Sequence, residues 1–129
     1  MENLDLKKTS NYKFWKNKKV LVTGHTGFKG AWLVIWLNKM GAKVTGISLK
    51  PKSNPNLYNL CNLNEICKSY IFDIRDKKKF LSHFKMIKPE IVFHLAAQSI
   101  VKKSYIDPFY TASTNILGTL NLLEIIRLT

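Results

Sequence analysis

A glycine-rich segment near the amino terminus contains the residues of this chain best suited to holding phosphate. The segment reads Thr23-Gly24-His25-Thr26-Gly27-Phe28-Lys29-Gly30 and lies between a β-branched apolar run and an apolar helical pattern. We expect Gly24 to allow a tight turn, Gly27 to let the backbone approach a pyrophosphate, and Gly30 to let the helix pack closely on the sheet. The N-terminus of that helix offers N–H groups and a positive dipole end to phosphate. The segment predicts a dinucleotide-binding site, and the alternative interpretation is an ordinary glycine-rich turn.

Strand and helix signals alternate from Lys18 onward and predict the elements that position this segment. Strands are expected at 20–23, 43–49, 69–72 and 91–95. Helices are expected at 28–40 and 57–66, after an N-cap at Asp76 and before Pro89, and after an N-cap at Asp107 with Pro108 in the first turn, towards Leu128. Such alternation implies a parallel sheet with right-handed crossovers. The predicted fold class is α/β: a Rossmann-type doubly wound parallel sheet, its N-terminal part only, with about four strands and flanking helices.

The composition is that of a packed domain. Hydrophobic residues make up 46% of the 129 residues, which argues against a disordered chain. No apolar run approaches the ~20 residues that span a membrane, so we expect no membrane partner. Cys61 and Cys67 have neither metal-ligand spacing nor a disulfide framework, so we expect reduced thiols, a cytoplasmic location and no metal site. The domain is expected at 18–129, after a polar basic leader at 1–17 whose apolar anchor is Phe14-Trp15.

The formal net charge of +13 invites comparison with nucleic-acid-binding proteins. The lysines, however, are dispersed over several short runs, among them Lys50 and Lys52, 77–79, and Lys102-Lys103. No run is interleaved with aromatic residues, as a groove for single-stranded nucleic acid would be. We interpret the charge as a lysine-rich surface, part of which suits a domain that handles phosphates, and expect no nucleic-acid partner.

The three-residue spacing of the glycines resembles the TGxxGxxG signature of the extended short-chain dehydrogenase/reductase superfamily. Three later segments resemble that superfamily in order and spacing: Asp73-Ile74-Arg75-Asp76, His94-Leu95-Ala96-Ala97-Gln98 and Thr114-Asn115-Ile116-Leu117-Gly118-Thr119. The resemblance covers roughly residues 18–128. It implies that Asp73 and Ile74 meet the adenine of a bound cofactor and that residues 95–98 line the ribose on its nicotinamide side.

Within the superfamily, the chain most resembles the CDP-glucose 4,6-dehydratases. The similar features are Phe14-Trp15, the segment 24–30, Trp32, and Ala96-Ala97-Gln98 followed by Lys102-Lys103-Ser104-Tyr105 and Asp107-Pro108. The resemblance implies an NAD-dependent hydro-lyase that converts CDP-glucose to CDP-4-keto-6-deoxyglucose for surface polysaccharides and acts as a homodimer. Two alternatives stay open: another nucleotide-sugar epimerase, dehydratase or reductase, and a nucleotide-binding fragment without activity.

One position departs from this family. An acidic residue often follows the second strand of the superfamily, where it binds the adenosine ribose hydroxyls. This chain has Leu49-Lys50-Pro51 instead. The resemblance implies NAD as the cofactor, and NADP is the alternative because a cation at Lys50 favours a 2′-phosphate.

The superfamily's catalytic Tyr-x-x-x-Lys pair lies beyond the Asn115 helix. We therefore expect no catalytic residue in this chain, which would stop before the catalytic and substrate-binding regions. Tyr105 is followed four positions later by Phe109 and does not match the pair. Tyr12 and Lys16 have the right spacing but lie upstream of the first strand, so we interpret that match as chance.

The resemblance also assigns roles to single residues. The expected cofactor-binding residues are Gly24, His25, Thr26, Gly27, Phe28, Lys29, Gly30, Asp73, Ile74, Leu95, Ala96, Ala97, Gln98 and Asn115. We expect His25 to lie near the cofactor without an acid–base role, and Asn115 to hold the geometry below the active site.

The remaining polar candidates follow from position alone. Lys102, Lys103 and Ser104 come after the fourth strand, at the edge where open α/β sheets bind ligands, so they are either substrate-side residues or part of a solvated loop. His94 falls in a buried strand and is expected to be structural, and His83 is expected on a helix surface.

Overall fold

The fold is built on a four-stranded parallel sheet with helices on both faces. The computed structural model describes residues 10–129, so the first nine residues of the predicted leader lie outside the described residues. The strands are β1 (Lys19–Thr23), β2 (Lys43–Ser48), β3 (Lys68–Ile71) and β4 (Ile91–His94). Their order in the sheet is β3-β2-β1-β4, and every neighbouring pair is parallel. The predicted Rossmann-type α/β fold is confirmed.

Helices connect the strands and cover the sheet. They are α1 (Ser10–Trp15), α2 (Phe28–Lys39), α3 (Leu57–Leu60), α4 (Leu63–Ile66), α5 (Lys77–Ile87), α6 (Val101–Ile106), α7 (Pro108–Ala112) and α8 (Gly118–Leu128), with a π-helical turn at Ser113–Leu117 before α8. Within residues 10–129, no helix has the length and apolar character needed to cross a membrane.

Three helical segments differ from the prediction. The single helix expected at 57–66 is split into α3 and α4 because Asn62 between them has a left-handed backbone, with φ of 47°. Residues 101–106 form α6, whereas a solvated loop was one of the two interpretations of Lys102, Lys103 and Ser104. The long helix expected after Asp107 is interrupted by the π-helical turn. The predicted N-cap residues are confirmed, since Asp107 accepts from the N–H of Tyr110 and Asp76 accepts from the N–H of Lys79.

The central strand β1 supplies the middle of the core. Val20, Leu21 and Val22 are fully buried. Because successive side chains of a strand point to opposite faces, Val20 and Val22 pack with α2, whereas Leu21 packs with α5 and α8 on the other face. Burial on both faces explains the uninterrupted apolar run in the sequence. It also fixes β1, and the loop that leaves it, between two packed layers.

The segment before β1 is folded against the domain from residue 10 onward. Trp15 at the end of α1 lies against Phe93 of β4, with ring centroids 6.2 Å apart. The N–H of Asn17 donates to the carbonyl of Gly41 at 2.8 Å. This part of the predicted leader therefore contributes to the packing, while the boundary between leader and domain stays a prediction.

Two helical surfaces expose large apolar side chains. On α2, Phe28, Trp32 and Trp36 are exposed and follow one another at four-residue intervals, which places them on one side of the helix. A second set lies on α6, α7, the π-helical turn and α8: Val101, Tyr105, Ile106, Phe109, Leu117, Leu120 and Leu123. Apolar surface of this extent usually marks a contact region.

Candidate functional site

The loops that follow the four strands meet at one edge of the sheet. They span 24–27, 49–56, 72–76 and 95–100. Since all strands are parallel, each loop lies at a carboxyl end, which is the edge where open α/β sheets bind ligands. Every predicted cofactor-binding residue belongs to these loops or to the first turn of α2, except Asn115, which lies in the π-helical turn.

Gly24 makes the turn out of β1 in a space that admits no side chain. Its φ is +78°, and a Cβ there would lie 2.7 Å from the backbone nitrogen of Ala96 and the carbonyl carbon of Leu95. Its N–H donates to the carbonyl of Ile47 at 2.8 Å. The start of the loop is therefore held between the ends of β2 and β4, as only glycine permits.

Gly27 immediately precedes α2 and leaves open space beside the N-terminus of that helix. Its φ of −77° suits any residue, and a Cβ there would meet only the carbonyl oxygen of Gly24, at 3.4 Å. No side chain caps α2, so the N–H groups of its first turn are available to an anion. Phe28 and Lys29 contribute these N–H groups while their side chains point to solvent. This open cradle fits the pyrophosphate of a dinucleotide.

Gly30 allows α2 to lie against the turn that precedes it. A Cβ at this position would overlap the carbonyl oxygen of Gly24 and lie 2.8 Å from its carbonyl carbon. The predicted close packing at the third glycine is therefore present, although the partner is the backbone of the glycine loop itself.

The imidazole of His25 lies inside the protein, whereas its backbone stays in the glycine loop, so its place near the cofactor stays a prediction. It is fully buried, and its Nε2 is 2.6 Å from Oγ of Ser69 on β3. The ring also meets the edge of Tyr58, with centroids 5.5 Å apart. Burial lowers the pKa of His25 to about 4, although the backbone of Ile47 opposes that shift. The ring is therefore neutral at physiological pH, and His25 can offer only its backbone to a ligand.

Thr26 also directs its side chain inward. Its hydroxyl donates to the carbonyl of Leu49 at 2.8 Å and lies 2.8 Å from Oγ of the buried Ser48. The hydroxyl thus holds the glycine loop to the end of β2. Lys50 follows directly after this contact and is exposed, so its ammonium is free to meet a ligand beside the loop.

Asp73 and Arg75 form a compact ion pair after β3. The Arg75 guanidinium donates to both carboxylate oxygens of Asp73, at 2.7 to 3.1 Å, and the Arg75 N–H adds a bond of 2.9 Å. These bonds hold the pKa of Asp73 below its usual value. Arg75 also donates to Oγ of Ser113 at 3.0 Å and lies 4.8 Å from the ring centre of Tyr110. The pair joins the end of β3 to the π-helical turn.

Ile74, the second residue expected to meet the adenine, has a buried side chain. It occupies the space left by Gly118, where a Cβ would lie 2.5 Å from Cδ1 of Ile74. Its backbone remains at the loop, so any contact of Ile74 with a base is a main-chain contact.

The segment 95–98 is shaped by Asn115. The Asn115 side chain accepts from the N–H of Gln98 at 2.7 Å and donates to the Gln98 carbonyl at 3.0 Å. The Gln98 side chain is buried and closes a turn with Ile100, accepting from its N–H and donating to its carbonyl. Asn115 therefore holds the loop after β4, as expected for a residue that supports the geometry. Ala97 is the most exposed part of this segment.

His94 is a structural residue, as predicted. Oγ1 of Thr23 accepts the N–H groups of Leu95 and Ala96, so its hydrogen is free for Nδ1 of His94 at 2.7 Å. Nε2 of His94 then donates to Oγ1 of Thr119 at 3.0 Å. Burial lowers the pKa of His94. The ring thus links β1 to α8 in its neutral form.

His83 is on α5, as predicted, but it is partly covered. Its ring lies 4.7 Å from that of Tyr70 and 4.8 Å from that of Phe72. It therefore contributes to the packing of α5 against β3 and the residue that follows it.

Lys102, Lys103 and Ser104 lie on α6 and not in a loop. The Ser104 hydroxyl donates to the carbonyl of Val101 at 2.6 Å, within the helix. The Lys103 ammonium is 4.4 Å from the ring centre of Tyr110. Of these three residues, Lys102 alone is exposed and has neither a hydrogen bond nor a ring contact to another described residue. A substrate-side role for the three residues stays a prediction.

The one Tyr-x-x-x-Lys match of the sequence is remote from this edge. Tyr12 lies on α1 beside Gly41, where a Cβ would be 3.0 Å from Cε2 of the tyrosine ring. Gly41 precedes β2, so the Tyr12 and Lys16 pair lies at the amino-end edge of the sheet, opposite the glycine loop. Within residues 10–129, no three His, Cys, Asp or Glu side chains are grouped to hold a metal.

Sequence reasoning missed several residues that hold the loops together. These are Thr23, Gly46, Ser48, Ser69 and Arg75. One of them could have been found from the sequence, because a glycine inside a strand often marks a place where another group approaches the backbone closely. At Gly46 that group is the His25 ring. The hydroxyls carry no comparable signal.

These features define a Rossmann-type α/β domain with an open helix N-terminus at the carboxyl-end edge of its sheet. The chain belongs to the GDP-mannose 4,6 dehydratase family, whose sequence model matches residues 21–129. It is 50% identical over 114 residues to the CDP-glucose 4,6-dehydratase of Salmonella typhimurium, a match that covers 88% of this chain and 32% of that protein. The chain thus spans about a third of the length of the curated relatives it matches.

Solved structures of nucleotide-sugar epimerases have the same fold. The UDP-glucose 4-epimerase of Thermotoga maritima, solved with UDP-glucose, is 37% identical with a TM-score of 0.71 and covers 82% of this chain and 33% of its own. The UDP-glucose 4-epimerase of Bifidobacterium longum, solved with NAD+ and UDP, is 28% identical with a TM-score of 0.74 over 84% of this chain and 33% of its own.

The packing at Gly30 predicts that alanine is destabilising at this glycine but tolerated at Gly27. Gly30→Ala should lower the unfolding free energy by about 2 kcal/mol, because the clash with the Gly24 backbone outweighs the ~1 kcal/mol helix preference of alanine. Gly27→Ala, the matched control in open space, should change it by less than ~0.5 kcal/mol. Urea unfolding followed by circular dichroism measures both, and equal stability of the two variants would contradict the proposed contact.

The buried His25 predicts a loss of stability in mild acid. Its folded pKa of about 4 lies below the unfolded value of 6.5, so the unfolded chain binds the extra proton between these pH values. The stability present above pH 6.5 should therefore decline towards pH 4, with about 3 kcal/mol arising from His25. His25→Gln should remove this part of the slope. Denaturant unfolding at pH 8, 6 and 4.5 tests it, and identical slopes for both proteins would contradict the assigned burial.

Proposed function

We propose that this chain is the NAD(P)-binding portion of a nucleotide-sugar 4,6-dehydratase, and that the whole protein converts CDP-glucose to CDP-4-keto-6-deoxyglucose. The observation that carries the proposal is the open, uncapped N-terminus of α2 beside Gly27. The 50% identity to a CDP-glucose 4,6-dehydratase supports the choice of substrate. The presence of NAD in structures of related epimerases supports the cofactor.

The residues at the carboxyl-end edge divide the work of holding a dinucleotide. Gly27 and the first N–H groups of α2 would hold the pyrophosphate. The backbone at 73–74 would meet the adenine, with the Asp73 carboxylate fixed by Arg75, and residues 95–97 would line the second ribose. When bound, the nicotinamide would supply hydride transfer to and from the sugar, and this part of the protein would contribute binding and orientation.

The substrate-side chemistry is proposed to lie outside the described elements. A base for the sugar hydroxyl must lie within about 3 Å of the oxygen in a productive complex. The Tyr12 and Lys16 pair is at the opposite edge from the glycine loop, so it does not provide that base. We therefore propose that residues 1–129 bind cofactor without completing the reaction.

A second candidate is a nucleotide-sugar 4-epimerase. It is favoured by 41% identity over 113 residues to the UDP-glucose 4-epimerase of Mycolicibacterium smegmatis, which covers 85% of this chain and 35% of that protein. Both candidates use the same cofactor site. Assay of the whole protein with CDP-glucose and with UDP-glucose separates them, since the dehydratase yields a 4-keto-6-deoxy sugar and the epimerase yields an isomer.

The setting of the protein follows from the proposed reaction. A nucleotide-sugar dehydratase would act in the cytoplasm on a soluble substrate and supply deoxysugars for surface polysaccharides. A homodimer of the whole protein is proposed, and neither a nucleic acid nor a membrane is required as a partner.

The cofactor choice is proposed to depend on Lys50. It is exposed directly after Leu49, whose carbonyl accepts from Thr26, and so lies where the adenosine ribose is expected. NAD is the proposed cofactor, and the Lys50 cation would allow NADP as well because it attracts a 2′-phosphate.

The open space at Gly27 predicts steric exclusion of the cofactor by a larger residue. Gly27→Val should weaken NAD binding by ~2 kcal/mol or more, about thirtyfold in Kd, because its branched side chain enters the phosphate space. Isothermal titration calorimetry measures the change. Lys39→Val, at the far end of the same helix, is the matched control and should bind as the wild type does. Unchanged affinity in folded Gly27→Val protein would show that the phosphate lies elsewhere.

The position of Lys50 predicts a change in preference between the two cofactors. Lys50→Asp should raise the ratio of NAD to NADP affinity by about tenfold, equivalent to ~1.4 kcal/mol, because a carboxylate accepts from the 2′-hydroxyl and repels a 2′-phosphate. Lys50→Gln, which removes the cation only, should give a smaller increase. The same ratio in all three proteins would mean that Lys50 does not face the ribose.

The remote position of the Tyr12 and Lys16 pair predicts that residues 1–129 alone do not dehydrate CDP-glucose. Without substrate positioning, ~7 kcal/mol or more of barrier lowering is lost. The purified chain is incubated with NAD and CDP-glucose and assayed for the 4-keto sugar, with the Salmonella enzyme as positive control. Turnover that co-purifies with the chain would refute the prediction.

A further inference from the structure

Two consecutive side chains of the glycine loop connect it to the neighbouring strands. Thr26 bonds to the end of β2, and His25 reaches across β2 to Ser69 on β3. Both contacts are made on the interior side of the loop, away from the open cradle at Gly27. The loop is thus fixed by its own side chains and not only by its glycines.

The path of the His25 ring depends on a missing side chain in β2. In the sheet register Gly46 stands between Val22 of β1 and Ser69 of β3. A Cβ on Gly46 would overlap Cγ and the two adjacent atoms of the His25 ring. The ring therefore occupies a slot that exists because position 46 is glycine.

The far end of the ring belongs to a chain of hydrogen bonds that reaches α3. The Tyr58 hydroxyl donates to Oγ of Ser69 at 3.0 Å, and the same oxygen lies 2.6 Å from Nε2 of His25. Tyr58 lies just after the loop 49–56, in which Lys50 is found. One imidazole thus joins the phosphate-facing loop, the edge strand and the segment that follows β2.

We propose that His25 is a positioning residue of the cofactor site: seated over Gly46 and bound to Ser69, its ring fixes the glycine loop in the conformation that presents the α2 N–H groups to a dinucleotide pyrophosphate. The inference rests on the proposed function, since it assigns a determinant of affinity to that same site. A loop held in its binding conformation before the ligand arrives loses less freedom on binding, so the affinity is higher.

The test compares His25→Leu with His25→Gln by calorimetric titration with NAD. Leucine fills the slot without a polar atom, whereas the glutamine amide can bond to Ser69. We expect His25→Leu to weaken binding by about tenfold, the equivalent of one lost hydrogen bond to a buried group. His25→Gln should remain within about threefold of the wild type. Rescue by glutamine is the readout that a purely space-filling role of the ring would not give.

Two further variants keep the test decisive if His25→Leu fails to fold. Ser69→Ala should weaken NAD binding several-fold, and adding His25→Gln to it should cause little additional loss because the bond to Ser69 is already removed. Gly46→Ala should displace the His25 ring and weaken NAD binding when His25 is present. In a protein that already carries His25→Ala, Gly46→Ala should cause no further loss of NAD affinity.

The outcomes separate this inference from the proposed function. Absence of NAD binding by the wild-type protein would overturn the proposed function. Wild-type affinity in folded His25→Leu or Ser69→Ala protein, together with loss of binding in Gly27→Val, would leave the cofactor site in place and overturn the role of His25.

Discussion

The contact between the first turn of α2 and the carbonyl group of Gly24 is the constraint on which the rest of the site depends. It exists because Gly30 has no side chain, and a single Cβ there would overlap the Gly24 oxygen. The contact brings the helix N-terminus to the carboxyl end of β1, where its unpaired N–H groups converge. The buried residues of β1 and α2 then hold both elements in place from below.

Two neutral histidines extend this constraint to the neighbouring loops. His25 ties the glycine loop to β3, and His94 ties the end of β1 to α8 through Thr23 and Thr119. Burial lowers both pKa values, so the rings act as fixed hydrogen-bonding groups and not as acids or bases at neutral pH. Arg75 and Asn115 complete the arrangement by fixing the loops after β3 and β4. The edge is thus rigid on its interior side and open at Gly27.

The sequence was sufficient to predict the strands, most helices and the glycine turn before α2, because these follow from local patterns. A β-branched run such as 20–22 and glycines three residues apart are visible without knowledge of the fold. The inward orientation of the His25 side chain was not predictable from the sequence. It depends on the register between β2 and β3, which sets Gly46 beside Ser69. The contacts of Arg75 with Ser113 and of Ile74 with Gly118 are equally tertiary, because each joins the loop after β3 to the segment around the π-helical turn, which is remote in sequence.

The central claim is that a dinucleotide binds at the carboxyl-end edge with its pyrophosphate beside Gly27. Amide chemical-shift changes during titration of ¹⁵N-labelled protein with NAD test it residue by residue. The account predicts the largest changes at residues 27–30, with smaller ones at 73–75 and 95–97. Changes concentrated at the opposite edge, around Lys43 and Lys68 at the starts of β2 and β3, would contradict it.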